Sequence, residues 1–456
     1  MWAHIILASF LIPSLEAWAR PNVGGGLAES ETDLIVSEAQ KDQWAKFEGQ
    51  RVHQITVIGL VRTRLVAIEW LMHTKRGEVF NTQQFVQDLQ TLYNTGNLYD
   101  LVGNLESDGH GGVDVTVTLK DKWTLFPVIG GQAGGGSQTV GAGVFESNML
   151  GYMVNTSLLV WNFNGTTSFD LNANQEYFAG TEHMWSLDWQ DNIEAQTAHN
   201  FNGSVAGNFA WRRQQNEFML GTHLEGPWRV YAYASVYRDS IANNDGGFFI
   251  NIPYQGVQQR IYPKFIYGKV DWTNYQESGF ELTVQPTLAN LVGAGPEYFA
   301  LELDFKKVWK TGAKDKDNTA IYLSTSHMTS AGPNFLYNLG GYYNVRGYSD
   351  MREVGRDMAF ANLEWRPYLL RQRWNFLDLD LMVIQGCLFT DAGSAWGDSS
   401  LTGDPLAANF HLLWSAGAGL RVNWVKFAGA ILRLDWAQTI TPAEGVGFSF
   451  GIGQFF

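Results

Sequence analysis

The sequence contains a single cysteine, Cys387, among its 456 residues. One cysteine excludes an intramolecular disulfide framework and any metal site built from several thiolates. Cys387 lies in a mostly apolar run, residues 381–389, which favours a packed or lipid-facing side chain over a reactive thiol. The nine histidines are scattered, and none has the spacing of a metal-binding motif. The sequence therefore predicts no metal and no cofactor.

Long apolar runs are also missing beyond the N-terminus. A membrane-spanning helix needs about 20 such residues in a row. Residues 1–19, with an apolar core at 5–15 and small residues at Ala17 and Ala19, are interpreted as a secretory signal peptide, although no Lys or Arg precedes the core. The sequence is still compatible with a membrane β-barrel, because lipid-facing and lumen-facing residues alternate and their hydropathies cancel in any window.

Basic residues are outnumbered, with 31 Lys and Arg against 45 Asp and Glu and a formal net charge of -14. This balance argues against a nucleic-acid partner and against polybasic binding to anionic lipid. Glycine and aromatic residues are plentiful instead, with 49 Gly, 18 Trp and 18 Tyr. A soluble protein can bury such aromatics, but membrane barrels need them in girdles at both interfaces.

The first part of the sequence predicts one small folded unit. Residues 20–50, with glycines at 24–26 and acidic residues at 29–33, are interpreted as a flexible tether. Residues 51–122 then contain a β-rich stretch, two segments with helical spacing and two alternating stretches. Asn81 is predicted to cap the second helix. The order β-α-α-β-β predicts a two-layer α+β module.

Residues 123–456 alternate in the manner of barrel strands. Leu187 and Trp189, for example, flank Asp188. The same pattern recurs at residues 228–234, 420–424 and 432–436. Charged residues on one side and large apolar residues on the other suit a hydrated lumen inside a lipid belt, whereas a soluble sandwich usually buries the large residues. We therefore predict a mostly β fold, a transmembrane antiparallel β-barrel preceded by the α+β module.

One loop-like stretch stands out within the barrel region. Residues 338–350 read Asn-Leu-Gly-Gly-Tyr-Tyr-Asn-Val-Arg-Gly-Tyr-Ser-Asp, and their glycines relax the backbone. Arg346 has a planar fork suited to gripping carboxylates. Glu364 and Asp391 follow on strand-like segments between apolar neighbours. Taken alone, these charges would form an ordinary surface ion pair, which is worth little.

Together, these pieces resemble one family. A Gly-Gly pair followed by Val345, Arg346, Gly347 and Tyr348 is similar to the sixth-loop motif of the outer-membrane assembly superfamily, which includes BamA, TamA and the two-partner secretion transporters. The segments around the two acids resemble that family's apolar-Glu-aromatic and Phe-x-Asp-x-Gly strands. The resemblance implies a barrel of about 16 strands in the outer membrane, with the loop folded back inside.

The resemblance also implies a role for the charged residues. Arg346 is expected to contact Glu364 and Asp391. Because one arginine against two acids leaves an excess negative charge, we expect a second donor, with Arg421 and Arg433 as candidates.

Residues 51–122 resemble a POTRA domain of the same family. The shared signals are the glycine after the first strand, Gly-Glu-Val-Phe at 77–80 and Asn-Thr-Gly-Asn-Leu-Tyr at 94–99. The resemblance implies a location in the periplasm and capture of client segments by β-augmentation. The alternative, that the module only orients the barrel, stays open because the sequence does not show which sheet edge is free.

The end of the chain resembles the C-terminal signal that outer-membrane barrels present during their own assembly. Phe448, Phe450 and the terminal Phe456 share one parity, and glycines dominate the other. A face of small residues weakens packing. We therefore expect a seam between this strand and a first barrel strand at about residues 131–145.

A serine-hydrolase motif occurs in the same strand. Residues 447–451 read Gly-Phe-Ser-Phe-Gly, but a nucleophile elbow needs a helix after the serine. The five residues that follow continue the strand pattern. The chain is predicted not to be an enzyme.

The resemblance implies an outer-membrane machine that assists insertion or passage of other proteins through the seam without nucleotide hydrolysis. Its implied partners are outer-membrane lipids, unfolded β-barrel or secreted clients, and periplasmic or lipoprotein partners. Two alternatives remain. A dedicated two-partner-type secretion pore would usually carry two POTRA domains and a plug helix. A passive porin-like channel would need neither the POTRA unit nor the Arg346 motif.

Overall fold

The structure is a computed structural model that describes residues 36–452 with short internal gaps. The gaps are residues 96, 176–177, 179–180, 182, 201, 225, 245–254, 274, 293–294, 330–335, 343, 373–381, 399–404 and 425–429. The predicted signal peptide, residues 1–19, and Phe456 lie outside the described residues.

The N-terminal module combines helices with a small sheet. Its elements are α1 (Glu38–Trp44), a 3-10 turn (Ala45–Phe47), β1 (Arg51–Ile58), α2 (Leu65–Leu71), α3 (Thr82–Asn94), β2 (Leu98–Ser107) and β3 (Gly112–Asp121). The sheet order is β1-β3-β2, with β1 parallel and β2 antiparallel to the central β3. The predicted order β-α-α-β-β, starting from β1, is confirmed.

The core of the module lies between the helices and the sheet. On α3, Phe85, Leu89 and Leu92 recur at helical spacing and are completely buried. They share one cluster with alternate residues of β3. Asn81 caps α3, since its side chain accepts a hydrogen bond from the Gln84 backbone at 2.8 Å. Among the residues that the structure describes, no helix is long and apolar enough to cross a membrane.

The described end of the predicted tether, residues 36–50, packs on this module. Val36 and Trp44 are buried, and the Trp44 ring centroid lies 5.0 Å from that of Phe85. Glu48 accepts a hydrogen bond from the Thr82 backbone at 2.7 Å, at the start of α3. The tether prediction therefore does not hold for residues 36–50, because the side chains of Val36 and Trp44 pack into the core of the module.

The rest of the chain is built from strands. They are β4 (Leu125–Gly134), β5 (Ser137–Met149), β6 (Val154–Phe163), β7 (Thr166–Gln175), β8 (His183–His199), β9 (Val205–His223), β10 (Trp228–Asn244), β11 (Gly256–Thr273), β12 (Gln276–Ala289), β13 (Tyr298–Thr311), β14 (Asp317–Met328), β15 (Tyr337–Leu339), β16 (Glu353–Gly355), β17 (Asp357–Arg366), β18 (Tyr368–Gln372), β19 (Met382–Trp396), β20 (Leu413–Trp424), β21 (Ala430–Thr441) and β22 (Val446–Ile452). Short 3-10 turns lie at Ala313–Asp315 and Pro405–Ala408.

These strands close into an antiparallel barrel. Each wall strand pairs with the next wall strand along the chain, with β17 following β14, and β22 pairs with β4 to complete the circle. Both β17 and β18 pair with β19, and Pro367, which has no N–H to donate, separates them, so the two segments form one wall strand. The strands β15 and β16 form a separate hairpin. The described residues therefore form a 16-strand barrel, as predicted.

Side chains alternate between the two faces of the wall. Leu187 is 52% exposed on the outside, while the neighbouring Asp188 is 5% exposed on the inside. Leu420 and Arg421 differ in the same way. Large apolar residues thus face outward and charged residues face the lumen, which confirms the predicted alternation.

The predicted first barrel strand, residues 131–145, is wrong. β4 ends at Gly134, a tight turn follows at Gly135 and Gly136, and β5 covers most of the predicted range. Both turn glycines have positive φ, 63° and 86°. The prediction ran one strand through the glycines at 134–136, although a Gly-Gly pair is a typical signal of a two-residue hairpin turn.

The module is joined to the barrel by hydrogen bonds at the start of the wall. Asp121, the last residue of β3, accepts hydrogen bonds from the backbone N–H groups of Val61 at 2.6 Å and Arg62 at 2.7 Å. The Thr63 hydroxyl also donates to Asp121 and accepts from the amide of Asn148, near the end of β5, at 2.7 Å. Asp121 therefore holds the loop through which the module contacts the barrel.

Replacing Asp121 with Ala should loosen this joint. Leaving a buried polar group unsatisfied costs about 1–3 kcal/mol. Only part of that cost applies to the N–H groups that lose Asp121, because water reaches the site. We expect at least tenfold faster amide exchange at residues 61–64 in the variant. Asp114→Ala, which removes an exposed carboxylate from the same strand, is the control. Equal exchange in the two variants would contradict this role.

The joint should also weaken in acid. Burial raises the pKa of Asp121, but hydrogen bonds from Arg62, Thr63 and Val61 outweigh burial and hold the pKa below its usual value. A lowered pKa gives stability that is present above the unfolded value, about 4, and is lost as the pH falls through the folded value. We expect exchange at residues 61–64, corrected for the intrinsic rate, to rise below about pH 4. An unchanged rate would contradict the assignment.

Candidate functional site

A long inserted loop fills part of the lumen. β15 and β16 form its stem, and residues 340–352 connect them. Val345 and Arg346 are completely buried, and Tyr348 is 1% exposed. A surface loop of this composition would leave such side chains in water. The burial pattern therefore means that the connection between β14 and β17 folds back inside the barrel.

Local hydrogen bonds shape this loop. The Asn344 side-chain oxygen accepts from the backbone of Gly340 at 2.5 Å and of Val345 at 2.8 Å. Its amide donates to the Asn338 carbonyl at 3.3 Å. Gly340 and Gly347 have φ of 110° and 97°, conformations that favour glycine. The loop is thus braced internally before it contacts the wall.

The tip of the loop places Arg346 among three carboxylates. Its Nε lies 2.7 Å from Asp391 Oδ2, and its Nη2 donates to Asp391 Oδ1 at 2.8 Å. This is a bidentate, fork-to-fork geometry. Its Nη1 donates to Glu364 at 2.8 Å and to Asp435 at 3.1 Å. The guanidinium therefore connects β17, β19 and β21 through one side chain.

Two further contacts fix the pair of Arg346 and Asp391. The backbone N–H of Arg346 donates to Asp391 at 3.1 Å, and the Asn362 amide donates to the other Asp391 oxygen at 2.5 Å. The guanidinium carbon lies 3.4 Å from the centre of the Phe389 ring, a cation–π contact. Asp391 is thus bound from three sides, and the loop cannot shift without breaking several bonds together.

The ion pairs extend along the inside of the wall. Arg421 bridges Asp435 at 2.6 Å and Glu364 at 3.4 Å. Arg366 bridges Glu364 and Glu277, at 2.8 Å each. The chain continues to Lys306 at 2.7 Å from Glu277, and Arg433 lies 3.4 Å from Asp435.

The charges of this network nearly balance. Its cations are Lys306, Arg346, Arg366, Arg421 and Arg433. Its anions are Glu277, Glu364, Asp391 and Asp435. Five cations against four anions leave one net positive charge, so no carboxylate in the group lacks a cation. Such compensation is what allows charges to be buried at all.

The structure brings together Arg346, Glu364 and Asp391, the residues that the sequence singled out. Sequence reasoning missed Asp435 as a third acid, although its inward parity next to Arg433 was visible. It also missed Arg366, which lies two residues after Glu364 on the same face. Glu277 and Lys306 gave no local signal, because their contact depends on the tilt and register of distant strands.

The other motif residues attach the loop to the wall. Val345 packs in a cluster with residues of β13, β14 and β17. The Tyr348 hydroxyl lies 2.6 Å from the Thr441 carbonyl and 2.9 Å from the Trp414 carbonyl, both near the loop-side ends of their strands. A Cβ at Gly447 would lie 2.5 Å from the Gly347 Cα. Two glycines therefore let the loop backbone touch β22 directly.

The loop also contacts the other side of the closure between β22 and β4. The Asp350 backbone donates to the Gly135 carbonyl at 2.8 Å, and the Ser137 hydroxyl donates to the Asp350 carboxylate at 3.0 Å. A Cβ at Gly451, on β22, would overlap the Tyr342 hydroxyl. The inserted loop thus lies across the seam and touches both strands that form it.

The two described residues of the predicted C-terminal signal, Phe448 and Phe450, point away from this site. Phe448 is 64% exposed on the outer face of β22, and Phe450 is partly exposed on the same face. Ser449, between them, is buried on the inner side, and the chain continues as strand at Gly451. These positions suit contact with lipid and not a catalytic turn.

Comparison with known proteins matched residues 162–456 to the family model described as the Omp85 superfamily domain. A comparison with curated proteins found no match.

Among solved structures, the chain is similar to BamA from Haemophilus ducreyi lacking POTRA domains 1-3, with a TM-score of 0.66 and 16% identity over 88% of this chain and 84% of that chain. For CdiB from Acinetobacter baumannii, the TM-score is 0.60 and the identity is 14%, over 89% of this chain and 74% of that chain. For CdiB from Escherichia coli, the TM-score is 0.58 and the identity is 13%, over 89% of this chain and 76% of that chain. At these identities the similarities establish the fold.

Replacing Arg346 with Ala should destabilise the barrel by about 3–5 kcal/mol, because it leaves buried carboxylates without their main cation. The free energy of unfolding in urea, measured on protein folded in micelles, tests this. The control is Arg212→Ala, which removes a partly exposed ion pair with Asp191 and should cost about 0–1 kcal/mol. Equal losses in both variants would show that burial of the network adds nothing.

Replacing Gly447 with Ala should displace the inserted loop, since the new methyl group would clash with the Gly347 backbone. Overpacking of this kind costs about 1–3 kcal/mol. Amide exchange at residues 344–350 should rise in the variant. Gly131→Ala, where the nearest atom would be the Thr139 carbonyl at 3.4 Å, is the matched control on the other seam strand. Unchanged exchange in Gly447→Ala would rule out the contact.

Proposed function

Since this chain belongs to the Omp85 superfamily, we propose that it assists other proteins in inserting into, or passing through, the outer membrane. The proposed work is mechanical and needs no nucleotide hydrolysis. The observation that carries the proposal is the inserted loop, which Arg346 holds inside the barrel and which contacts both β22 and the β4–β5 turn beside the closure. The resemblance inferred from the Val-Arg-Gly-Tyr loop is confirmed by the family match.

The barrel closes between its last described strand and its first. Within the described residues, which end at Ile452, β22 pairs with β4 through Phe450 with Ala133 and Gly451 with Gln132. Opening at this closure would expose two strand edges that can template an incoming strand.

The loop contacts support the same idea. An opening at β22 and β4 would have to release or carry the loop, because Gly347 touches β22 and Asp350 touches the β4–β5 turn. The Arg346 network anchors the loop to β17, β19 and β21, the wall strands that precede β22. We therefore assign the network the role of a lock that keeps the rest of the wall intact while the seam opens.

We propose that the N-terminal module is a POTRA domain that faces the periplasm. Its strand order, β1-β3-β2, supports this. Residues 77–80 cover the start of β1, where Val52 donates to the Glu78 carbonyl at 2.8 Å. In the described part of the module, β2 pairs with β3 alone. A client strand, or a periplasmic or lipoprotein partner, would add to β2 through main-chain hydrogen bonds.

We also propose that the chain is not an enzyme. The one motif with a catalytic reading includes Ser449, which lies inside β22 with strand on both sides in the described residues. A nucleophile elbow needs a sharp strand-to-helix turn there. The secretion-pore and porin alternatives make different predictions, and one experiment separates all three.

That experiment is depletion of the protein followed by quantification of the whole outer-membrane proteome. Loss of many unrelated barrels would support assembly. Intact barrels with one secreted protein trapped in the periplasm would replace the proposal with a dedicated pore. Loss of small-solute permeability alone would replace it with a channel.

A disulfide across the seam should stop the activity. Ala133 and Phe450 are partners on adjacent antiparallel strands, and the distance between such partners suits a disulfide. We expect the Ala133→Cys, Phe450→Cys variant to fold but to lose assembly of client barrels when oxidised, with recovery on reduction. Outer-membrane client levels under both conditions provide the measurement.

The matched control joins β5 to β6 through Ala142→Cys and Val160→Cys, partners that also face lipid. This second disulfide crosses a fully paired part of the wall, so it should leave activity unchanged. Full activity with the seam cross-linked would exclude opening as the mechanism. The native Cys387 is 2% exposed and should not interfere.

A further inference from the structure

An exposed apolar and cationic surface lies where the module meets the barrel. We call it the joint face. Its residues are Val61, Arg62, Arg64, Leu65, Trp123 and Leu150. Val61 is 87% exposed, Leu150 is 72% exposed and Trp123 is 64% exposed. Single exposed apolar residues are ordinary on protein surfaces. Three apolar side chains that are more than 60% exposed, beside two arginines, form a patch that indicates a binding partner.

Direct contacts hold the joint face together. The Arg62 guanidinium lies 4.9 Å from the Trp123 ring and donates to the Thr124 hydroxyl at 3.2 Å. The Arg64 guanidinium lies 4.9 Å from the Tyr152 ring, and its Nε donates to the Leu150 carbonyl at 3.0 Å. Stacking on aromatic rings fixes both arginines while leaving them exposed, so they are oriented in advance for a ligand.

Neither arginine has a carboxylate partner among the described residues. Asp121 accepts hydrogen bonds from the backbone of residues 61–63, and Glu146, on the neighbouring β5, accepts from the Asn148 backbone at 2.8 Å. These carboxylates stay charged, but they form no ion pair with Arg62 or Arg64 in the described residues. The two exposed guanidinium groups therefore keep donors that can bind an anionic group.

The joint face continues the lipid-facing surface of the barrel. Leu125 and Ile129 are exposed on β4, directly after Trp123, and Leu158 is exposed on β6 after the Leu150 turn. Apolar residues on the outside of the wall thus extend without a break onto the joint. Trp and Arg at such an edge are typical of the membrane–water interface.

The backbone at Leu150 adds an independent observation. Its φ is 56°, a left-handed conformation that disfavours branched side chains, and the side chain nevertheless points outward. In water, a polar or glycine residue would suit this turn better. Contact with an apolar environment explains why a leucine is present there.

We propose that the joint face lies in the headgroup layer of the periplasmic leaflet and binds anionic phospholipid. Val61, Leu150 and Trp123 enter the boundary with the acyl chains, while Arg62 and Arg64 bind lipid phosphates through their forked donors. This inference rests on the orientation proposed above, with the module in the periplasm. The bound lipid holds the module against the membrane next to β4, one of the two seam strands.

The test measures how close the joint face lies to lipid. A fluorophore on Val61→Cys is compared with one on Glu106→Cys, which is exposed at the far end of β2. The full chain is placed in vesicles of phosphatidylcholine with brominated acyl chains, or of an equal mixture with phosphatidylglycerol. We expect about twofold stronger quenching at position 61 than at position 106. Quenching at position 61 should increase with phosphatidylglycerol.

Two further variants test the arginines. Each basic residue at an anionic surface strengthens binding about fivefold. In the double variant with Arg62→Gln and Arg64→Gln, about tenfold or more phosphatidylglycerol should therefore be needed for the same quenching. The control, Arg76→Gln, removes an exposed arginine near the opposite end of β1 and should leave the dependence unchanged. A second label at Leu65→Cys repeats the measurement if either reporter perturbs the joint.

Each outcome is decisive. Equal quenching at positions 61 and 106 would overturn the contact with the membrane. Strong quenching that changes neither with phosphatidylglycerol nor on replacement of the two arginines would overturn the headgroup site. The readout does not involve client proteins, so its failure would leave the assembly proposal standing, and loss of the assembly proposal would not change the quenching.

Discussion

The structure depends on one constraint, which is that the Arg346 guanidinium is completely buried inside the barrel. A buried charge is tolerated only when it is paired and hydrogen-bonded. Three carboxylates meet this requirement, and they come from β17, β19 and β21. The loop must therefore enter the lumen, the three strands must be neighbours in the correct register, and further cations such as Arg366 must compensate the acids.

Sequence reasoning captured the parts that are periodic or local. Alternation gave the two faces of the wall, and Asn81 gave the start of α3. The motif around Arg346 pointed to Glu364 and Asp391 through resemblance. Partners such as Glu277 were out of reach, because a one-residue change of register would turn that side chain to lipid. The turn at residues 135–136 was missed although its Gly-Gly pair is a local hairpin signal.

Two parts of the chain contact the wall beside the seam. The module contacts the end of β5 through the Thr63 hydroxyl, which donates to Asp121 and accepts from Asn148. The inserted loop touches the β4–β5 turn and β22. An opening between β22 and β4 is therefore coupled directly to the loop, and to the module through the pairing of β4 with β5.

The positions of the partners of Arg346 along the chain also set an order of events in time. Glu364 and Asp391 follow the loop closely, but Asp435 lies 89 residues after Arg346, on the last strand but one. Gly447, which receives the loop backbone, comes later still. The loop can complete its bonds only once nearly the whole chain has joined the wall. Complete attachment of the loop therefore requires a finished barrel, because an unfinished one lacks Asp435 and the contact at Gly447.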